Sequence, residues 1–376
     1  MGIPGKLKVL HIIGTMDRGG AESWLMNLLR NSYESNLQMD FCVIKGKKGD
    51  LAEEIERLGS RVIPCDTNPI GSFCTRFARI LKEGKYDCVH SHVWSFSGIM
   101  LPIALFCKVP VRIAHSHNTR SKHQNSLYRR IYSFVTQKLI LSCSTHCLGC
   151  SSEATAALFG KGWQKNAKCK ILYCSINTEA FRPEKEPNSK TVLGLPEDSV
   201  VVGNVGNLRA QKNHTFFLDI AVEFLKLEPR AYFFIAGEGP LREELEAKAH
   251  KLGIAEKIKF AGARNDVPDL MMWGFDVFLF PSLYEGMPLT LVEAATAGLR
   301  IVCSDSITSE ATEFMRDSFT RLPLSADPAK WATELKIACM KRRVSQENAY
   351  RITKESHFAT NYCLEKLLLF YYSGQR

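Results

Sequence analysis

Short continuous apolar runs alternate along this chain with stretches whose apolar residues recur three to four positions apart, the rhythm of buried strands exchanging with amphipathic helices. KVLHIIG (8–14) reads as a buried strand that ends in TMDRGG and opens into the helical pattern AESWLMNLLR. MDFCVIKG (39–46), SRVIPCD (60–66), YDCVHSH (86–92), VRIAHSH (111–117), KLILSCS (138–144) and CKILYCSI (169–176) continue the strand series, with helical stretches between them. Strands joined by helical crossovers predict a parallel sheet covered on both faces. At FRPEKEPNSKTVLGLPEDS (181–199) Pro, Lys, Glu and Ser replace that rhythm, which predicts a linker between domains. The alternation then resumes with VVGNVG (201–206), RAYFFIAG (230–237), IKFAG (258–262), VFLF (277–280) and RIVCSD (300–305). The fold class is therefore α/β with two doubly wound domains, and 376 residues suffice for two cores of ordinary size. We expect domains over 1–182 and 183–355, with 356–376 a helix packing back on the first.

Charge distinguishes the two halves. Residues 1–180 hold 24 Lys and Arg against 13 Asp and Glu, a net of +11, whereas the remainder holds 25 against 26. The basic half is expected to meet an anionic partner. No helix-turn-helix, zinc-finger spacing or RNP-like strand points to nucleic acid, which leaves peripheral contact with an anionic membrane or a lipid-phosphate acceptor. The opening residues lack the pattern of a signal peptide, and IMLPIALFC (99–107) is too short to span a bilayer. Thirteen cysteines without a secretory segment read as reduced thiols in the cytoplasm. Cys143, Cys147 and Cys150, with His146 between them, have spacings that zinc could use, but LILSCSTHCLGCSS reads as the end of a strand.

Candidate chemistry collects at strand ends. YEGMPLTLVEA sets Glu285 and Glu293 eight residues apart around a Gly-Met-Pro turn, directly after VFLFPS. Carboxylates so placed line the crevice where open α/β sheets hold ligands. The Gly19–Gly20 pair precedes a helix whose first amides are available to an anion, and a P-loop is excluded because no G-K-[ST] follows. Histidines pair at two strand ends, His90 with His92 and His115 with His117. Four imidazoles suggest a metal, yet no acidic ligand stands at matching spacing, and no metal is expected.

With Gly19–Gly20, the 204–214 loop and Glu285/Glu293 in this order, nearly the whole chain resembles the retaining glycosyltransferases of the GT-B fold, family 4 or group 1 type, in particular bacterial capsular and exopolysaccharide transferases. The resemblance implies two facing Rossmann-like domains with a cleft between them. It implies a nucleoside diphosphate sugar donor, most simply a UDP-sugar, held mainly by the C-terminal domain. By the match of GNLRAQKNH (206–214), Asn207, Arg209 and Lys212 line the diphosphate, and Arg209 and Lys212 neutralise the leaving nucleoside diphosphate. Glu285 approaches the donor sugar and Glu293 accepts from the ribose hydroxyls, a carboxylate being an acceptor only. Gly286, Met287, Pro288 and Leu289 bring backbone amides to sugar and phosphate. Arg264 and Asn265 neighbour the base, and Glu238 of GEGP positions Arg209 or Lys212. Gly19 and Gly20 approach the donor phosphate or acceptor, and His115, with His117 and Asn118 on the same loop, stands near the transferred sugar. No Asp-x-Asp occurs, so the two basic side chains replace a divalent ion and no cofactor is expected. The implied reaction retains configuration by front-side displacement and transfers a hexose or N-acetylhexosamine to a saccharide or lipid-linked saccharide. A non-catalytic saccharide- or nucleotide-binding protein and a sugar-nucleotide epimerase or hydrolase are the competing readings.

Overall fold

The computed structural model describes residues 6–32, 35–119, 126–183 and 193–375. The chain forms two compact units, Met1–Ser175 with Thr360–Arg376, and Ile176–Ala359. Of the linker-like segment 181–199, residues 184–192 lie outside the described residues.

The first unit is built on seven strands: β1 Leu7–Ile13, β2 Leu37–Val43, β3 Val62–Pro64, β4 Cys88–Ser91, β5 Val111–Ser116, β6 His146–Gly149 and β7 Cys169–Ile171. They run parallel in the order β3-β2-β1-β4-β5-β6-β7. β1 is buried at six of its seven positions because helices cover both faces, which is why its sequence is a run and not an alternation. The segment KLILSCS, expected as a strand, is instead the end of the helix Leu127–Cys143, and the strand is the next four residues, HCLG. Ile140 and Cys143 are buried three apart while Leu139 is exposed, so helical periodicity lay hidden in an unbroken apolar run.

The second unit carries β8 Val200–Val205, β9 Ala231–Ala236, β10 Ile258–Phe260, β11 Val277–Phe280, β12 Arg300–Ser304 and β13 Phe319–Leu322. All are parallel, in the order β10-β9-β8-β11-β12-β13. β13, FTRL, has one buried residue of four and gave no apolar run to read. Phe217 and Phe224 of the helix His214–Leu227 meet Phe233 of β9 edge-on at 5.8 and 6.1 Å. Each buried aromatic contributes about 1.5–3 kcal/mol, so the helix following the 206–213 loop is firmly seated on the sheet.

Each sheet reverses its strand order once, between β1 and β4 in the first unit and between β8 and β11 in the second. At such a reversal the connections leave in opposite directions, and the carboxyl ends of the two central strands frame an open crevice.

Candidate active site

At the reversal in the second unit, β8 delivers the loop 206–213 and β11 delivers 281–288. Lys212 Nζ lies 2.8 Å from Glu285 Oε1, and Gln211 Nε2 donates to Glu285 Oε2 at 3.1 Å and to the Tyr284 carbonyl at 2.9 Å. The backbone closes the same contact, Leu283 N–H donating to the Gln211 carbonyl at 2.9 Å. Lys212 also stands 4.8 Å over the Phe280 ring. Glu285 is buried, and a buried carboxylate held by an ammonium and an amide has little freedom to move. Beneath it, Asn204 donates to the Leu279 carbonyl at 2.8 Å and pairs with His214 Nε2 at 3.0 Å, which ties β8, β11 and the following helix into one base. Burial pushes the His214 imidazole down to about 4, so the tie is neutral.

Arg209 is exposed and its side chain makes no hydrogen bond or ion pair among the described residues. Its cation is available to an anion. Asn207 is partly buried on the same loop. Gly239 makes the loop's course possible: a Cβ there would sit 2.7 Å from the Leu208 nitrogen and carbonyl carbon, and the two segments are joined by Leu208 N–H to the Glu238 carbonyl at 2.9 Å.

Gly286, Met287 and Pro288 lead from Glu285 into the helix Leu289–Thr296, which no side chain caps. Glu293 lies one turn inside that helix. Its carboxyl has no hydrogen-bond or ion-pair partner among the described residues, and burial pushes it up to about 7. The hydroxyls of Ser282 and Thr290, on either side of Glu285, are likewise buried without a partner. Unmet polar groups clustered at a strand end are what a polar ligand would satisfy. Sequence reasoning passed over Gln211, Ser282 and Thr290; only Gln211, inside the matched loop and next to Lys212, carried a signal.

One expectation is corrected. Glu238 does not reach Arg209 or Lys212; its carboxylate accepts from Arg242 Nη1 at 3.1 Å, at the start of the helix Arg242–Lys251, and it is the Glu238 carbonyl that holds the 206–213 loop. Arg264 is committed to Asp266, its Nε donating to Oδ1 at 2.8 Å, and Asn265 too has a contact within the protein.

In the first unit, Gly19 caps the helix Gly20–Asn31, and a side chain at Gly20 would meet nothing within 4 Å, so the approach to the helix start is open. His115 is fully buried within β5, its Nδ1 3.2 Å from His90 Nε2. His117, past the strand end, is partly exposed and Asn118 exposed.

Two doubly wound domains, the second with Lys212 and Glu285 brought together at its strand reversal, define an α/β protein with a crevice at the place where this architecture holds ligands. Comparison with known proteins gives the family: residues 18–180 match the model described as Glycosyltransferase Family 4, and residues 185–335 that of Glycosyl transferases group 1. The chain belongs to this glycosyltransferase family and has its GT-B fold of two Rossmann-like domains. It is 34% identical over 347 residues to a Bacillus subtilis protein named as a glycosyltransferase, EpsF, covering 90% of both chains. It is 30% identical over 350 residues to the capsular polysaccharide biosynthesis glycosyltransferase CapH of Staphylococcus aureus, covering 90% of this chain and 93% of that one. Among solved structures, Anabaena Alr3699/HepE in complex with UDP-glucose superposes with a TM-score of 0.78 at 16% identity, covering 96% and 98% of the two chains.

Proposed function

We propose that this glycosyltransferase takes a UDP-sugar as donor and transfers its hexose or N-acetylhexosamine, with retention, to a lipid-linked saccharide. The observation that carries the reading is the convergence of Arg209, Lys212, Glu285 and Glu293 on one strand reversal from segments more than seventy residues apart. Arg209, unpaired and exposed, and Lys212 meet the diphosphate; their attraction grows as the leaving group gains charge, which lowers the barrier and not merely the binding energy. Lys212 also fixes Glu285, which then faces the sugar hydroxyls in one orientation. Glu293, unpartnered, accepts from the vicinal ribose hydroxyls, and the amides of residues 286–289 face the sugar and phosphate. His115 serves as a positioning residue below the loop that carries His117 and Asn118. Since the cationic side chains carry the diphosphate charge, turnover needs no added magnesium. The relatives' names support the substrate class: HepE is seen with UDP-glucose, and an Escherichia coli relative, 29% identical over 60% of this chain, is named for UDP-galactose and a diphosphoundecaprenol acceptor.

A membrane-borne acceptor fits the helix Leu127–Cys143. Leu127, Tyr128, Ile131, Phe134, Val135 and Leu139 are exposed along it, and Arg129, Arg130 and Lys138 flank them. An apolar face rimmed with cations suits the surface of an anionic leaflet. No helix among the described residues is long and apolar enough to cross a membrane, so we place the enzyme peripherally on the cytoplasmic face.

Calorimetry against UDP, GDP, ADP and CMP tests the donor. Selective binding of UDP that falls in an Arg209→Ala/Lys212→Ala double variant upholds the reading. Binding of another diphosphate alone, or UDP affinity unchanged in the double variant, overturns it.

A further inference from the structure

Strand order in the first unit does something the sequence does not show: it stacks the histidines of three neighbouring strands. His11 of β1 is in register with His90 of β4, and β5, beside β4, brings His115 and His117. His11, His92 and His117 form one hydrogen-bonded line, Nδ1 of His11 to Nε2 of His92 at 3.0 Å and Nδ1 of His92 to Nε2 of His117 at 2.9 Å. His90 Nε2 meets His115 Nδ1 at 3.2 Å, and His90 Nδ1 meets the Tyr371 hydroxyl at 2.8 Å. The line ends at Cys174, whose Sγ is 3.5 Å from His117 Nδ1.

These contacts admit two proton arrangements: in one, Cys174 donates to His117, His117 Nε2 to His92 and His92 Nε2 to His11, an ordinary hydrogen-bonded chain, and the other is ready for a cation. In that second arrangement His92 donates from Nε2 to His11, His115 from Nδ1 to His90, His90 from Nδ1 to Tyr371, and His117 from Nδ1 to Cys174. Every ring is then neutral with one N–H, and each outer bond has one donor and one acceptor. Three nitrogens remain with lone pairs and no proton: Nδ1 of His92, Nε2 of His115 and Nε2 of His117. Nε2 of His115 is buried with no hydrogen bond of ordinary geometry among the described residues, the Leu172 carbonyl being the nearest backbone acceptor to the ring, and the first and third are 2.9 Å apart. The three residues place their ligand atoms within 4.8 Å of one another. In this second arrangement three lone pairs converge for a cation to take, whereas without one the His117 proton moves to Nε2 and donates to His92.

We propose that His92, His115 and His117 bind a divalent ion of the zinc class through these three nitrogens, with His11, His90 and Cys174 as the outer partners that orient the rings. Tetrahedral zinc, with bonds of about 2.0–2.1 Å, sets its ligand nitrogens about 3.3 Å apart, a spacing that small rotations of these rings reach. A ligating histidine ordinarily gives its second nitrogen to a neighbour that fixes tautomer and orientation, and here all three have one. His92 and His117 are partly exposed while His115 is buried, which leaves the fourth coordination position toward solvent. Three protein ligands with one open position describe a site that holds a water or a ligand oxygen. The proposal uses none of Arg209, Lys212, Glu285 or Glu293, and its test does not depend on the identity of the donor.

The test uses full-length protein without a polyhistidine tag, stripped with a chelator and titrated with Co²⁺ and then Zn²⁺. The expected result is about one equivalent of Co²⁺ with the intense visible absorption of tetrahedral coordination, bleached by about one equivalent of Zn²⁺. That spectrum is lost in His92→Gln and His117→Gln and kept in His146→Gln. Cys174→Ala, which removes only an outer partner, weakens Zn²⁺ binding about 10-fold, and thermal melts of the metal-free variants check that they fold. A weak octahedral spectrum from the unsubstituted protein, or tetrahedral binding that survives in both folded glutamine variants, would overturn the proposal.

Discussion

Glu293 offers a trade between stability and ligand binding that can be measured. Burial raises its carboxyl from 4.5 to about 7, so between those values the folded chain holds a proton that the unfolded chain has released. Stability from this residue therefore falls as pH rises through that window, and the full cost is reached above pH 7. A shift of roughly 2.5 units at about 1.4 kcal/mol each gives about 3 kcal/mol, which partial access to solvent reduces to about 2 kcal/mol. Glu293→Gln removes the ionisation while keeping the shape. At pH 8 the variant should be about 2 kcal/mol more stable than the parent, a rise in Tm of about 4–8 °C for a unit of this size; at pH 5 the gain should fall to about a quarter of that. The same substitution takes an ionised acceptor away from the ribose hydroxyls, at about 1.5–3 kcal/mol, so UDP should bind about 10- to 100-fold more weakly. Thermal melts from pH 5 to 8, with and without UDP, read both effects. Equal melting temperatures at pH 8, or a difference that does not change with pH, would show that Glu293 is not held in a site hostile to its charge.

Three further outcomes are expected. Glu285→Ala should cut sugar transfer by about 100-fold or more while UDP affinity stays within a few fold, read by product formation and calorimetry; equal turnover would remove Glu285 from the sugar. Gly239→Val should lower Tm and weaken UDP together, because a side chain overlaps the Leu208 backbone, and an unchanged melt would mean the loop has room that its contacts deny. Ile131→Asp with Phe134→Asp should abolish flotation with anionic vesicles and leave binding of UDP as it was; co-flotation of the variant would refute the helix Leu127–Cys143 as the docking face.

Eleven strands stand out in the sequence because parallel strands covered on both faces are largely apolar runs, as VFLF of β11 is throughout. β6 and β13 escaped notice because HCLG and FTRL bury too few branched side chains to mark a strand. The carboxylates of the site were legible from their position after an apolar run, but their partners were not. Lys212 and Glu285 are 73 positions apart, and only the adjacency of β8 and β11 joins them. The histidines show the same limit: two His-x-His pairs are visible, whereas His11 enters by register with His90 and Tyr371 arrives from a helix near the other end of the chain. Glu238 misled because its carbonyl and its carboxylate serve different neighbours, a distinction that residue type does not encode.

The division of the chain at 175/176 and 359/360 has a consequence for biosynthesis. The second unit is a continuous stretch and can close as soon as residue 359 is clear of the ribosome, whereas the first must wait for Thr360–Arg376. That tail supplies Cys363, Leu367 and Tyr371 to its interior, each buried, and the Tyr371 hydroxyl to His90. The order of maturation is thus the reverse of the order of translation. With synthesis at about 5–20 residues per second, the nascent first unit passes about ten seconds or more with an incomplete surface, the interval in which a folding assistant would have most to hold.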